Sequence, residues 1–242
     1  MNIKDKGYLI SQSRFQENHV IVKYLTQSNG LMSFIYLDGN LNQQRPKLSI
    51  QLGTLTELVF KPKTNLNQLY HADLLENMPS WKPFVFVFQQ YVHEIMLYLL
   101  MEKQKLGIFE LYKQLLAIFN GFNYDEFDNS TNYQLIEIAL RHFELSFLDS
   151  IGFGIHFQLI SSAQNTIEKN HYYQFLPQQG FTPCENTQGF LGSDILAIQQ
   201  RKITLQQLQT ARKICKNQIG SLLSGRPLKS RAILKQILIK TP

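Results

Sequence analysis

Cysteine is almost missing from this chain: Cys184 and Cys215 are the only two in 242 residues, and no CxxC occurs. That excludes a disulfide framework and a cysteine-ligated zinc site, and it fits a reducing, cytoplasmic setting. Long apolar runs are also missing. The most apolar segment, Phe84–Met101, is interrupted by Gln89, Gln90, His93 and Glu94, so it reads as a buried helix and no membrane partner is expected. Met1–Lys6 is polar with no apolar run behind it, which argues against a signal peptide. Catalytic signatures are lacking as well: there is no GxxxxGK[ST], GxSxG or HExxH. Gly152 and Gly154 lack a third glycine and follow a helical pattern, the wrong context for a dinucleotide site. The six histidines, His19, His71, His93, His142, His156 and His171, are scattered and do not converge. Asp125, Glu126 and Asp128 read as an acidic solvated loop. No enzyme activity, metal or cofactor is expected.

Charge is scarce too, at 17% of residues, and its distribution matters more than its net value of +6. Residues 1–70 hold eight Lys/Arg against four Asp/Glu. Residues 71–200 hold six against fourteen, and residues 201–242 hold ten against none. Basic ends flanking an acidic middle are the pattern of a polyanion-binding protein. The competing explanation is that the basic end pairs with the acidic middle of the same chain.

The first segment reads as strands. Gly7–Ser13 is followed by the β-branched run His19–Thr26 and by Leu31–Leu37, with Asn29-Gly30 marking a hairpin between the last two. Thr54–Phe60 and Leu66–Leu74 complete about five short antiparallel strands in some seventy residues. An OB-type barrel has that size and strand count, and an SH3-like barrel would read almost the same way.

Met78–Pro83, with two prolines around the single tryptophan Trp81, marks a boundary. We therefore expect an α+β chain: a barrel domain over 1–78 and a mostly helical domain over 79–242. Helices are expected at Phe84–Glu102 and Gly107–Phe119. The stretch Tyr133–Phe157 reads as a wide-faced buried helix carrying a Glu137–Arg141 ion pair and ending at a glycine turn. Periodicity fails over 158–194, read as an irregular insertion with one or two small hairpins. Thr204 caps a helix reaching about Leu223, and Ser230 is a candidate N-cap for a last short helix.

The basic residues over 201–242 form the main candidate surface. Arg212, Lys213 and Lys216 share one helix, and Arg226, Lys229, Arg231 and Lys235 crowd ten residues at a turn and helix start, where amides and arginine forks suit phosphate. About five phosphate contacts would give a log K versus log salt slope near −4. Arg14 and Lys23 add cations to the strands, and Arg45 and Lys47 lie in the loop Asp38–Leu52. Tyr8, Tyr24, Phe34, Tyr36 and Phe60 are aromatic candidates for base stacking. Tyr24 and Tyr36 lead because a phenol tolerates a wet surface.

Two stretches carry a family resemblance. Leu140–Phe157, LRHFELSFLDSIGFGIHF, is similar to the LRRFELxLLxxLGYGxxF stretch of the RecO family, and Gly225–Gln236, GRPLKSRAILKQ, is similar to its GKxLKSRxLLxQ. The Glu17–Val22 run and the Thr26 to Gly30 turn also resemble its N-terminal barrel. The resemblance implies an OB-type barrel, a helical remainder and no enzymatic activity. It further implies binding of single- and double-stranded DNA, strand annealing, and partnership with RecR and the acidic C-terminal tail of single-strand-binding protein, which indirectly serves RecA loading. It adds Arg141 to the DNA- or partner-binding candidates. The chain departs from the family in two places. The paired CxxC motifs that hold zinc in many members are reduced here to Cys184, so no zinc is expected. The basic stretch after the third strand is diluted to Leu37–Arg45, which shifts the expected DNA surface toward 201–242. An OB-fold RNA- or tRNA-binding protein and a scaffold with weak DNA binding are the alternative readings.

Overall fold

The alternation of Val20, Val22 and Tyr24 with Ile21 and Lys23 leaves the β2 strand, His19–Thr26, one apolar face and one mixed face. Met32, Phe34 and Tyr36 do the same for β3, Gly30–Leu37. The two pair in antiparallel register from Thr26↔Gly30 to His19↔Leu37, so their apolar faces coincide. In this computed structural model the described residues are 1–16, 18–37, 50–64, 66–76, 81–104, 107–122, 129–160, 166–185 and 188–240. They form two compact units, Met1–Trp81 with Gln89–Lys113, and Lys82–Phe88 with Gln114–Pro242. The expected sites Arg45 and Lys47 and the acidic loop Asp125–Asp128 lie outside the described residues, as does the Lys235 side chain.

In the first unit β1 (Ile3–Gln16), β4 (Leu55–Lys61) and β5 (Asn67–Leu74) join β2 and β3 in a closed barrel of order β1-β2-β3-β5-β4. All neighbours are antiparallel except β3 and β5, which are parallel. That order decides for the OB-type barrel over the SH3-like one. β1 is longer than the apolar run Gly7–Ser13 suggests because it serves two partners. Ile3–Tyr8 pairs with β4, and Gly7–Gln16 pairs with β2. A register shift between Leu9 and Ser11 lets the strand bend from one to the other. Tyr24, Phe34 and Phe60 meet edge to face inside, with ring centroids at 5.9 and 5.0 Å. Each such pair adds about 1 kcal/mol to simple area burial.

The β2–β3 hairpin closes through Gly30, whose φ of +70° suits glycine. Its loop is pinned by a residue the strand pattern does not single out. The buried Asp5 carboxylate accepts the Ser28 amide at 3.3 Å and the Asn29 side-chain amide at 3.1 Å. Residues 89–113 of the same unit bring Tyr112 edge-on to Tyr8, with centroids 5.1 Å apart, and place Gln89 and His93 on the Tyr112 hydroxyl at 3.3 and 2.6 Å. Those residues belong to α1 (Pro83–Leu99) and to α2 (Ile108–Gly121).

In the second unit α3 (Asn129–Ser150) packs on α5 (Leu205–Leu222). α3 ends as its glycine pattern predicts. Gly152, at φ +82°, donates to the Asp149 carbonyl while Phe153 donates to that of Leu148, the Schellman arrangement. The expected Glu137–Arg141 pair is corrected. Both residues are buried, so each takes the partner that the interior supplies. Glu137 binds Arg212 of α5, and Arg141 binds Glu144 at 2.9 Å. Thr204 does cap α5: its hydroxyl accepts the Gln206 amide, and Gln207 completes a capping box. α6, Lys229–Lys240, starts one residue before the expected cap, which leaves Ser230 buried in the first turn.

The region read as irregular is more ordered than its punctuation suggests. β6 (Tyr172–Leu176), β7 (Gly180–Cys184) and β8 (Phe190–Leu191) form a sheet of order β7-β6-β8, and α4 (Gly192–Gln199) follows. Tyr173, Phe175 and Phe181 bury against Leu145, Ile195, Ile198, Ile214 and Cys215. Among the described residues no group of three His, Cys, Asp or Glu side chains is placed to hold a metal. An apolar core anchors this small sheet.

Candidate nucleic-acid interface

On an OB-type barrel the exposed face of strands 2 and 3, together with the β1–β2 and β4–β5 connections, is the surface that meets oligonucleotides. Here that face has a polar row and an apolar row. Register sets Ser11 beside Lys23 and Lys23 beside Ser33. One step along, Ser13 lies beside Ile21, and Ile21 beside Ile35, all on the outward side. Arg14 is exposed near the β1–β2 end and makes no ion pair with any described residue. Lys23 does have a partner: its Nζ lies 3.8 Å from the Glu102 carboxylate, which also accepts the Ser33 hydroxyl.

The aromatic candidates are corrected by burial. Tyr24 is fully enclosed and Tyr36 is 4% exposed, and Tyr8, Phe34 and Phe60 are equally buried. All five rings pack among other side chains, so no base can stack on them. Burial pushes the Tyr24 hydroxyl above its ordinary pKa, and it pushes that of Tyr8 up to about 12. The phenol argument fails because both tyrosines stand on the apolar side of the alternation. Among the described residues of the barrel strands the exposed ring is Phe15, at 55%. It sits in a polar run, SRFQ, whose strand character comes only from pairing with β2, so periodicity alone does not mark it. Lys61 and Lys63, exposed at the β4–β5 connection, are two further cations that sequence reasoning passed over. Two lysines around a proline carry no distinctive signal until the barrel places that loop beside β3.

In the second unit the helical period sorts the basic residues of α5. Ala211, Ile214, Cys215, Gln218 and Ile219 are buried, which turns Lys213 and Lys216 outward with Gln206 and Gln209. Neither lysine makes an ion pair with a described residue. Arg212, at the edge of that face, is half-exposed and bound to Glu137. Arg141 points inward, at 6% exposure, and serves the interior. Past α5 the chain turns through Ser224 and Gly225, at φ +49° and +80°. Leu228 and Ser230 are buried behind the turn, so Arg226 and Lys229 are exposed and Arg231 is half-buried. The turn residues thus serve as an anchor and the cations as a surface. The cations of the basic end therefore divide: Arg212 is drawn into an internal pair, while Lys213 and Lys216 face outward.

By form, then, this is an OB-barrel protein carrying an appended α+β unit with an outward basic helix face. Residues 1–78 match the family model described as Recombination protein O N terminal. The chain is 25% identical over 234 residues to the DNA repair protein RecO of Psychromonas ingrahamii, covering 94% of this chain and 95% of that one. It is 24% identical over 236 residues to the DNA repair protein RecO of Actinobacillus pleuropneumoniae serotype 5b, covering 96% and 95%. A stretch of 106 residues is 34% identical to the Vibrio vulnificus DNA repair protein RecO, covering 43% and 44%. Over nearly its full length the chain is thus similar to DNA repair proteins RecO. Among the described residues no helix is long and apolar enough to cross a membrane.

Proposed function

We propose that this protein acts in DNA repair and recombination as a DNA-binding mediator. In this reading it holds single- and double-stranded DNA through phosphate contacts, anneals complementary strands, and works with RecR and the acidic tail of single-strand-binding protein to help load RecA. The observation that carries the reading is the OB-type strand order in a chain whose relatives are DNA repair proteins over nearly its full length. The outward lysines of α5 and the turn Arg226–Arg231 supply the positive surface, and the barrel adds Arg14, Lys61 and Lys63. Sequence-independent binding follows, because phosphate contacts carry no base information.

A scaffold with weak DNA affinity is the second reading. The internal pairing of Arg141, Arg212 and Lys23 favours it, since each such pair removes a cation from the surface. Fluorescence anisotropy of a labelled single-stranded oligonucleotide across a salt series separates the two. The DNA-binding reading expects micromolar or tighter binding with a steep salt slope. Lys213→Glu/Lys216→Glu should reduce the slope by about 1.4 if each lysine meets one phosphate of a single strand. Absence of binding by the unaltered protein at low salt would refute the reading and leave the scaffold.

A further inference from the structure

The turn after α1 crosses the very face that an OB-type barrel uses for nucleic acid. Lys103 donates its amide to the Leu31 carbonyl of β3 at 2.9 Å, and a Cβ at Gly30 would collide with the Gln104 carbonyl. This contact sets the Glu102 carboxylate over the centre of the polar row. There it accepts the Ser33 hydroxyl and pairs with Lys23 at 3.8 Å. Ser33 is itself only 7% exposed, and its carbonyl is held by the Asn67 side-chain amide at 3.0 Å, just past the β4–β5 connection. An ammonium and a buried hydroxyl converging on one anionic oxygen form a phosphate-binding arrangement, and the protein's own carboxylate fills it.

The turn is weakly held. Lys103 adopts φ +64°, a left-handed conformation that costs a non-glycine residue about 1 kcal/mol. Met101 is 66% exposed and contributes little burial. A hollow of about 80 Å³ lies beneath, between Thr26, Gln27 and Gly30 on one side and Leu100, Gln104 and Phe109 on the other.

We propose that Lys23 and Ser33 form a nucleic-acid phosphate site on the barrel, and that Glu102 occupies it as a built-in competitor which a DNA strand displaces. The inference rests on the DNA-binding reading above. Its test is anisotropy titration of a single-stranded oligonucleotide with the full chain, its Glu102→Gln variant, and the Lys23→Ala/Glu102→Gln double variant. Glu102→Gln should tighten binding roughly 2- to 5-fold at low salt, the range that a surface ion pair spans. Lys23→Ala should cancel that gain and lower the salt slope by about 0.7, for the one phosphate contact it removes. Unaltered affinity in a Glu102→Gln variant whose parent binds DNA would overturn the site, as would a loss of melting temperature with no gain in affinity. If none of the three proteins binds, the DNA-binding reading fails and this inference fails with it.

Discussion

Acidification from pH 7 to pH 5 should destabilise the barrel unit through one residue, His93. Its ring is 2% exposed, and burial pushes its pKa from 6.5 down to about 3. The Tyr112 hydroxyl meets its Nε2 at 2.6 Å, and its Nδ1 is buried with no partner among the described residues. The folded chain therefore refuses a proton that the unfolded chain accepts below about pH 6.5. Because the unfolded state binds more protons, stability rises with pH through this window and falls on acidification, and the loss continues until pH approaches 3. From the two pKa values the loss between pH 7 and pH 5 is about 2 kcal/mol. Pushing the folded value up a unit hardly changes that figure, since pH 5 still lies above it. The assay is urea unfolding at the two pH values, followed by the fluorescence of Trp81, the only tryptophan, which is buried in the same unit. His93→Phe keeps a ring in place and removes the titration. The other histidines, including His142 whose pKa burial also lowers, stay in both proteins and cancel in the difference. His93→Phe should lose about 2 kcal/mol less than its parent over this range. Parallel pH dependences would refute the reasoning.

Two further outcomes concern the helical unit. Gly152→Ala should cost about 1 kcal/mol in urea unfolding, purely through the backbone, because φ there is +82° and a Cβ would touch nothing. A neutral result would mean that the α3 terminus relaxes to a different turn. Arg212→Ala should destabilise by about 1–3 kcal/mol, since it leaves the Glu137 carboxylate at 4% exposure without its cation. Arg212→Ala/Glu137→Gln should recover most of that loss, and failure to recover would show that the arginine stem, not its charge, matters.

Much of the fold is legible in the residues themselves. Alternation in His19–Leu37 and the Asn29-Gly30 signal are local, and they produce the hairpin found. The apolar periodicity of α3, its glycine stop and the Thr204 cap are equally local, because each depends on neighbours within a helical turn or two. The charge segregation, too, belongs to the chain alone. What the residue types cannot show is which side of an alternating strand becomes the interior. Tyr24 and Tyr36 look like wet aromatics by type and are core by position, whereas Phe15 lies in a polar run and is exposed.

The ion pairs show the same division between local and long-range causes. Glu137 and Arg141 stand at the spacing of a helical pair, yet packing on α5 gives Glu137 the cation Arg212, and Arg141 turns to Glu144 three residues along its own helix. Glu102 and Lys23 are separated by most of the barrel in sequence, and only closure of β2 on β3 beneath the turn at Lys103 makes them neighbours. Short-range regularity thus set the strands, helices and caps of this protein by sequence alone. Which cations remain on its surface was decided by tertiary packing, since charge pairing follows distance in space and not distance along the chain.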